Sequence, residues 1–127
     1  MSMQQCAHIE DTYKRSLTCV TFTGRDVVCG YEDGTMKFFD DSGTEKHSFR
    51  HHKGIITCML YLPTPISRLF VASNDSMISV WNCESVAIKD SIMLPLPVFS
   101  LCLYQSTNLI VGLSKEVHIY SEFDKNG

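Results

Sequence analysis

Residues 70–82 read FVASNDSMISVWN, and residues 28–40 read VCGYEDGTMKFFD, so the two stretches align at an offset of 42 without a gap. Asp33 falls on Asp75, Gly34 on Ser76, and Phe39 on Trp81, the single tryptophan of this 127-residue chain. A third copy, IVGLSKEVHIYS over residues 110–121, has one residue fewer in its turn and places Tyr120 where the tryptophan stands. It lacks the aspartate. A fixed internal period of this length marks a repeat architecture, in which each unit buries its apolar face against the next.

Working outward, each copy follows a second recurring segment: LTCVTF at 17–22, ITCMLY at 56–61 and FSLCLY at 99–104. Runs rich in β-branched and aromatic residues, bounded by turn formers such as 23–26, 63–65 and 105–108, predict strands rather than helices. The expected strands are 17–22, 26–30, 35–39 and 45–49, then 55–61, 68–73, 77–82 and 86–92, then 98–104, 108–112 and 115–121. No long stripe of helical period competes with them.

Composition narrows the function classes. With 44% apolar and 20% charged residues the chain is that of a folded domain, and one core is expected at this length. A net charge of -3 offers no clustered lysine and arginine for a phosphate backbone, so no nucleic-acid partner is expected. The longest apolar run, 92–104, is interrupted by Pro95 and Pro97 and falls short of a membrane span, so no membrane partner is expected either. The N-terminus MSMQQCAHIED has neither the basic start nor the apolar stretch of a signal peptide. None of the six cysteines is spaced C-x-x-C, and most lie in strand-like runs, which reads as buried thiols in a reducing compartment. The expected setting is intracellular and cytoplasmic. A glycosylation sequon at Asn74-Asp75-Ser76 is discounted on the same ground.

Four short strands per roughly 42 residues, with an aspartate in the second hairpin and an aromatic closing the third strand, resemble the WD-repeat β-propeller family. The fold expected is therefore all-β, with about three blades of four-stranded antiparallel sheet at residues 10–50, 51–93 and 94–127. The middle unit matches best. His52 stands at the position of the family's repeat-opening histidine, and Trp81-Asn82 replaces the Trp-Asp dipeptide. The resemblance implies a buried hydrogen-bonded chain inside the blade, assigned here to His52, Ser73, Asp75 and Trp81, with Asp33 as the counterpart of Asp75 in the first unit. The family's usual hydroxyl position is occupied by Val71. Tyr13 and Phe39 fill the histidine and tryptophan positions of the first unit, and Pro95 and Tyr120 those of the third.

The resemblance also implies a non-enzymatic scaffold whose d-to-a and b-to-c loops bind other proteins or peptides. Those loops carry Tyr13, Tyr31, Glu32, Arg50, His51, Lys53 and Asn74, and include residue types enriched in binding hot spots. Three blades do not close a ring. Either a longer propeller supplies the rest, or a partner covers the remaining edges, or chains assemble, with residues 1–9 as a closing strand on an outer blade that ends after Tyr120 without a fourth strand. Two copies would make six blades.

Other chemistries are expected to be absent. His47, His51 and His52 near Asp40 and Asp41 lack a shared face, so no metal site is expected. Cys19 and Cys58 sit mid-strand, where a thiol is inert, so no catalytic residue is assigned. Residues 30–34 lack the lysine of a phosphate loop, and no cofactor is expected. The competing readings are a ligand-binding or enzymatic domain on another all-β fold, and a structural cytoskeletal or ciliary subunit.

Overall fold

The computed structural model describes residues 2–105 and 108–121. Among the described residues eleven strands follow one another: β1 (Leu17–Phe22), β2 (Val27–Tyr31), β3 (Met36–Phe39), β4 (Glu45–Phe49), β5 (Ile56–Leu62), β6 (Arg68–Ser73), β7 (Met77–Asn82), β8 (Ala87–Met93), β9 (Val98–Tyr104), β10 (Asn108–Leu113) and β11 (Val117–Tyr120). They form three antiparallel meanders, β1-β2-β3-β4, β5-β6-β7-β8 and β9-β10-β11. Strand boundaries lie within about two residues of those expected. Among the described residues no helix is long and apolar enough to cross a membrane.

Alternation within each strand decides which side each blade shows to its neighbour. In β6, Leu69 and Val71 join Val28, Met36 and Phe38 of the first blade in one core. Phe70 and Ala72 point the other way and join Leu109, Val111 and Leu113 of the third blade. The middle blade is therefore packed on both faces, and every residue of β6 is buried. The outer strands β4 and β8 are far more exposed. Innermost strands also touch directly, for Thr57 Oγ1 donates to the Val98 carbonyl at 2.7 Å.

Turn chemistry fixes the registers. Gly34 takes φ +91° in the β2–β3 turn, and a Cβ there would meet the His52 carbonyl oxygen, so only glycine fits both the backbone and the neighbouring loop. In the β3–β4 turn Asp40 Oδ1 accepts from the amides of Ser42 and Thr44, and Gly43 takes φ +90°.

The segment before β1 lies on the first blade without joining its sheet. Residues 2–16 form no strand. An extended segment becomes a strand only by pairing with an edge, and this one is held by side chains instead: Ile9 packs on Cys29, Tyr31 and Phe39, and Asp11 is buried against the first blade. Beyond Ser121, residues 122–127, read as ending before a fourth strand, lie outside the described residues, as do residues 106 and 107 of the expected 105–108 turn.

Candidate functional site: a loop face over buried polar chains

The middle blade contains a continuous polar chain. Asp75 accepts from His52 Nδ1 at 3.1 Å, so that nitrogen carries the proton, and Nε2 accepts from the Ser79 hydroxyl at 2.7 Å. The Ser79 oxygen in turn accepts from Trp81 Nε1 at 2.8 Å. Every donor and acceptor in the chain is thereby paired. Asp75 also accepts from the Lys53 and Met77 amides, which ties the β4–β5 loop to the β6–β7 turn.

The structure thus joins His52, Asp75 and Trp81 as the sequence indicates, but the hydroxyl is Ser79 rather than Ser73. Ser73 Oγ accepts from the Asp75 amide, which shapes the turn and leaves that hydroxyl outside the chain. The reason is register. Val71 pairs directly with Ser79 across β6 and β7, so the hydroxyl expected at position 71 is supplied from the neighbouring strand, on the same face.

The first blade solves the same problem with charge. Lys37 aligns with Ser79, and its ammonium lies buried 2.9 Å from Asp11 and 2.7 Å from Glu45. Asp11 also accepts from the Arg15 amide and guanidinium. Tyr13, the residue at the histidine position, does not reach Asp33. It lies exposed, stacked under the Arg15 guanidinium, and Arg15 pairs with Asp33 at 3.0 Å instead. In the third blade His118 occupies the Ser79 column, accepting from the Tyr120 hydroxyl at 2.7 Å and donating to Glu116 at 2.9 Å. A polar residue two positions before the closing aromatic recurs in all three blades, and this column is the signal from which Ser79 and Lys37 are readable.

The loops joining β2 to β3, β4 to β5 and β6 to β7 gather at one end of the blades. Arg50 Nε donates to the Asp33 carbonyl at 3.1 Å, linking the loops of the first two blades. Glu32, Arg50, His51 and Lys53 are exposed on this face with Tyr13, and Asn74 is half-buried. His51 Nε2 meets Ser91 Oγ at 3.0 Å, outside the blade, while His52 points inside. Tyr31 is not on the loop surface. It ends β2 and is buried beneath Ile9, so it serves the core of the first blade. Among the described residues no group of three or more His, Cys, Asp or Glu is placed to hold a metal ion.

Burial outweighs the neighbouring carboxylate at His52 and pulls its pKa below the usual 6.5. Burial pushes Asp75 up, but the Lys53 amide and the adjacent histidine outweigh it and hold the carboxyl below 3.8. Asp11 is likewise lowered against its burial by the Arg15 amide and Lys37. For each group the unfolded chain binds protons more readily than the folded one, so stability falls with acidification. The loss should begin as pH drops below about 6.5, where the unfolded histidine protonates, and steepen below about 4 as the carboxylates follow. Urea midpoints measured between pH 7.5 and 3 test this, and a flat profile from pH 7.5 to 5.5 would show His52 titrating alike in both states.

Comparison with known proteins agrees with this geometry. The family model described as "WD domain, G-beta repeat" matches residues 43–82. No curated protein matches the chain in sequence. Among solved structures, the RRP9 WD40 repeats superpose with a TM-score of 0.80 at 16% identity, covering 94% of this chain and 39% of theirs. The WD40 β-propeller domain of Doa1 superposes with a TM-score of 0.73 at 21% identity, covering 86% of this chain and 38% of that one. The chain spans about two fifths of the length of either propeller.

Proposed function

The chain carries a WD repeat and, across its length, the blade fold of WD-repeat propellers; on that premise we propose that it is a non-enzymatic docking platform for other proteins or peptides. The observation that carries this reading is the loop face of the first two blades. Its backbone is fixed from below by Asp75 bonding to His52, Lys53 and Met77, and from the side by Arg50 bonding across to the Asp33 carbonyl. Tyr13, Glu32, Arg50, His51 and Lys53 are therefore presented on a preorganised frame, which lowers the ordering cost of binding. The six cysteines are unpaired thiols, which suits a reducing, cytoplasmic setting. An enzyme or ligand-binding domain on another all-β fold does not accord with blades that superpose on propellers.

The test is capture of partners on the immobilised chain, compared with Glu32→Lys and Lys53→Glu. Both side chains are exposed at the rim of the face, so charge reversal should weaken the retained partner by about tenfold while leaving the melting temperature within about 2 °C. Undiminished capture by both variants, or loss of folding by either, counts against this face as the docking surface.

A further inference from the structure

The junction of the first and second blades and that of the second and third use the same positions of the repeat, and only the first is filled. In the first, Met36, Phe38 and Phe49 pack with Leu69, Val71 and Trp81 in one core. In the second, the aligned residues are Ile78, Val80 and Ile92 against Leu109, Val111 and Tyr120. Register supports the equivalence. Met36 pairs with Phe49 across β3 and β4, as Ile78 pairs with Ile92 across β7 and β8, so Phe49 and Ile92 lie on the same face of their blades.

The two junctions differ in their aromatic rings. Phe49 lies on Trp81 with ring centroids 4.8 Å apart and His51 adds its edge at 6.2 Å, so Trp81 is 3% exposed. One junction on, Ile92 and Leu94 stand for Phe49 and His51, and Tyr120, tied to His118 through its hydroxyl, is 38% exposed. A cavity of about 260 Å³ results, walled chiefly by Ile78, Ile92, Leu94, Leu109, Val111 and Tyr120. The strands that wall the first junction, β3, β4, β6 and β7, have their counterparts here in β7, β8, β10 and β11, so the cavity arises from side-chain volume. Leu94 belongs to the β8–β9 loop, the counterpart of the β4–β5 loop, which puts the cavity beside the loop end of the blades.

On the premise that the loop face docks a protein, we propose that this cavity receives an aromatic side chain of that partner, a phenyl or indole ring seated where the Phe49 ring sits one junction earlier. An apolar cavity of roughly 150 Å³ already admits benzene, so either ring fits. A ring seated there meets Tyr120 as Phe49 meets Trp81, and buried aromatic anchors of this kind carry much of the energy of an interface.

Titration of N-acetyl-phenylalanine amide into the isotope-labelled chain, followed by NMR, tests the cavity without any partner. Saturable binding at about 0.1–1 mM is expected, with ring protons in Overhauser contact with the Ile92 and Leu94 methyls and with weaker binding of N-acetyl-leucine amide. Ile92→Phe supplies the missing ring from within, so it should weaken the phenylalanine amide by at least about tenfold and raise the melting temperature. If that variant alters the far-ultraviolet spectrum, Leu94→Phe, which fills the cavity from the loop side, takes its place. The source of the ring is decided by capture on the immobilised chain, where Ile92→Phe should release the same partner that Glu32→Lys and Lys53→Glu weaken. Retention that falls with the charge variants and ignores Ile92→Phe overturns the aromatic anchor and leaves the docking face standing, whereas retention indifferent to all three overturns both. Absence of saturable binding, binding that survives both filling variants, or a leucine amide held as tightly as the phenylalanine amide also overturns the anchor.

Discussion

Replacing Ser79 with alanine is expected to lower the free energy of unfolding by about 2–4 kcal/mol, which for a domain of this size is roughly a 10 °C fall in melting temperature. The hydroxyl lost is fully buried and has two partners. Without it the Trp81 indole N–H has no acceptor and His52 Nε2 has no donor, and water does not reach either group in a closed blade. Ser73→Ala is expected to cost less, about 1 kcal/mol, because it removes a single turn bond. A cycle with Val71→Thr separates position from chemistry. Position 71 pairs with position 79, and the Val71 backbone interacts with His52, so a hydroxyl there lies close to the same partners. Val71→Thr should be damaging in the unmodified chain and less damaging, or restorative, beside Ser79→Ala. Additive losses in thermal or urea melts would show that the hydroxyl acts only from β7.

The second large effect is expected at Asp11. Asp11→Ala leaves the Lys37 ammonium buried with Glu45 alone, and that carboxylate is itself half in water. Removing one member of a buried ion pair is far more costly than removing a surface one, and about 2–4 kcal/mol is expected here after allowing for Glu45. The double variant Asp11→Ala, Lys37→Met should recover most of that loss, since no unpaired charge remains inside. Urea unfolding of the three proteins decides the matter. A single variant within about 0.5 kcal/mol of the unmodified chain would mean that the pair behaves as a solvated one.

Much of this architecture is legible in the sequence because the repeat is gapless where it counts. The column pairing Val28 with Phe70 and Val80 with Phe38 dictates strands, faces and blade order together, and the strand limits follow from turn formers such as Gly34 and Gly43. The polar chain was only half legible. His52, Asp75 and Trp81 stand at fixed places in the unit, but the hydroxyl moved from one strand to its cross-strand partner, and strand register is not written in a linear pattern. Lys37 was visible as a charged residue inside the apolar run MKFF, yet its partner Asp11 lies on an irregular segment whose placement depends on tertiary packing alone. Tyr31 was misplaced onto the surface for a related reason: the boundary between strand and loop moved by one residue, and the segment carrying Ile9 came down over it.

β6 acts as a party wall. With a core against each side, it cannot shift to absorb a larger or smaller side chain on one side without opening a gap on the other, so its sequence is the least free to drift. The double contact also means that any displacement imposed on the middle blade is felt at both ends of the stack at once.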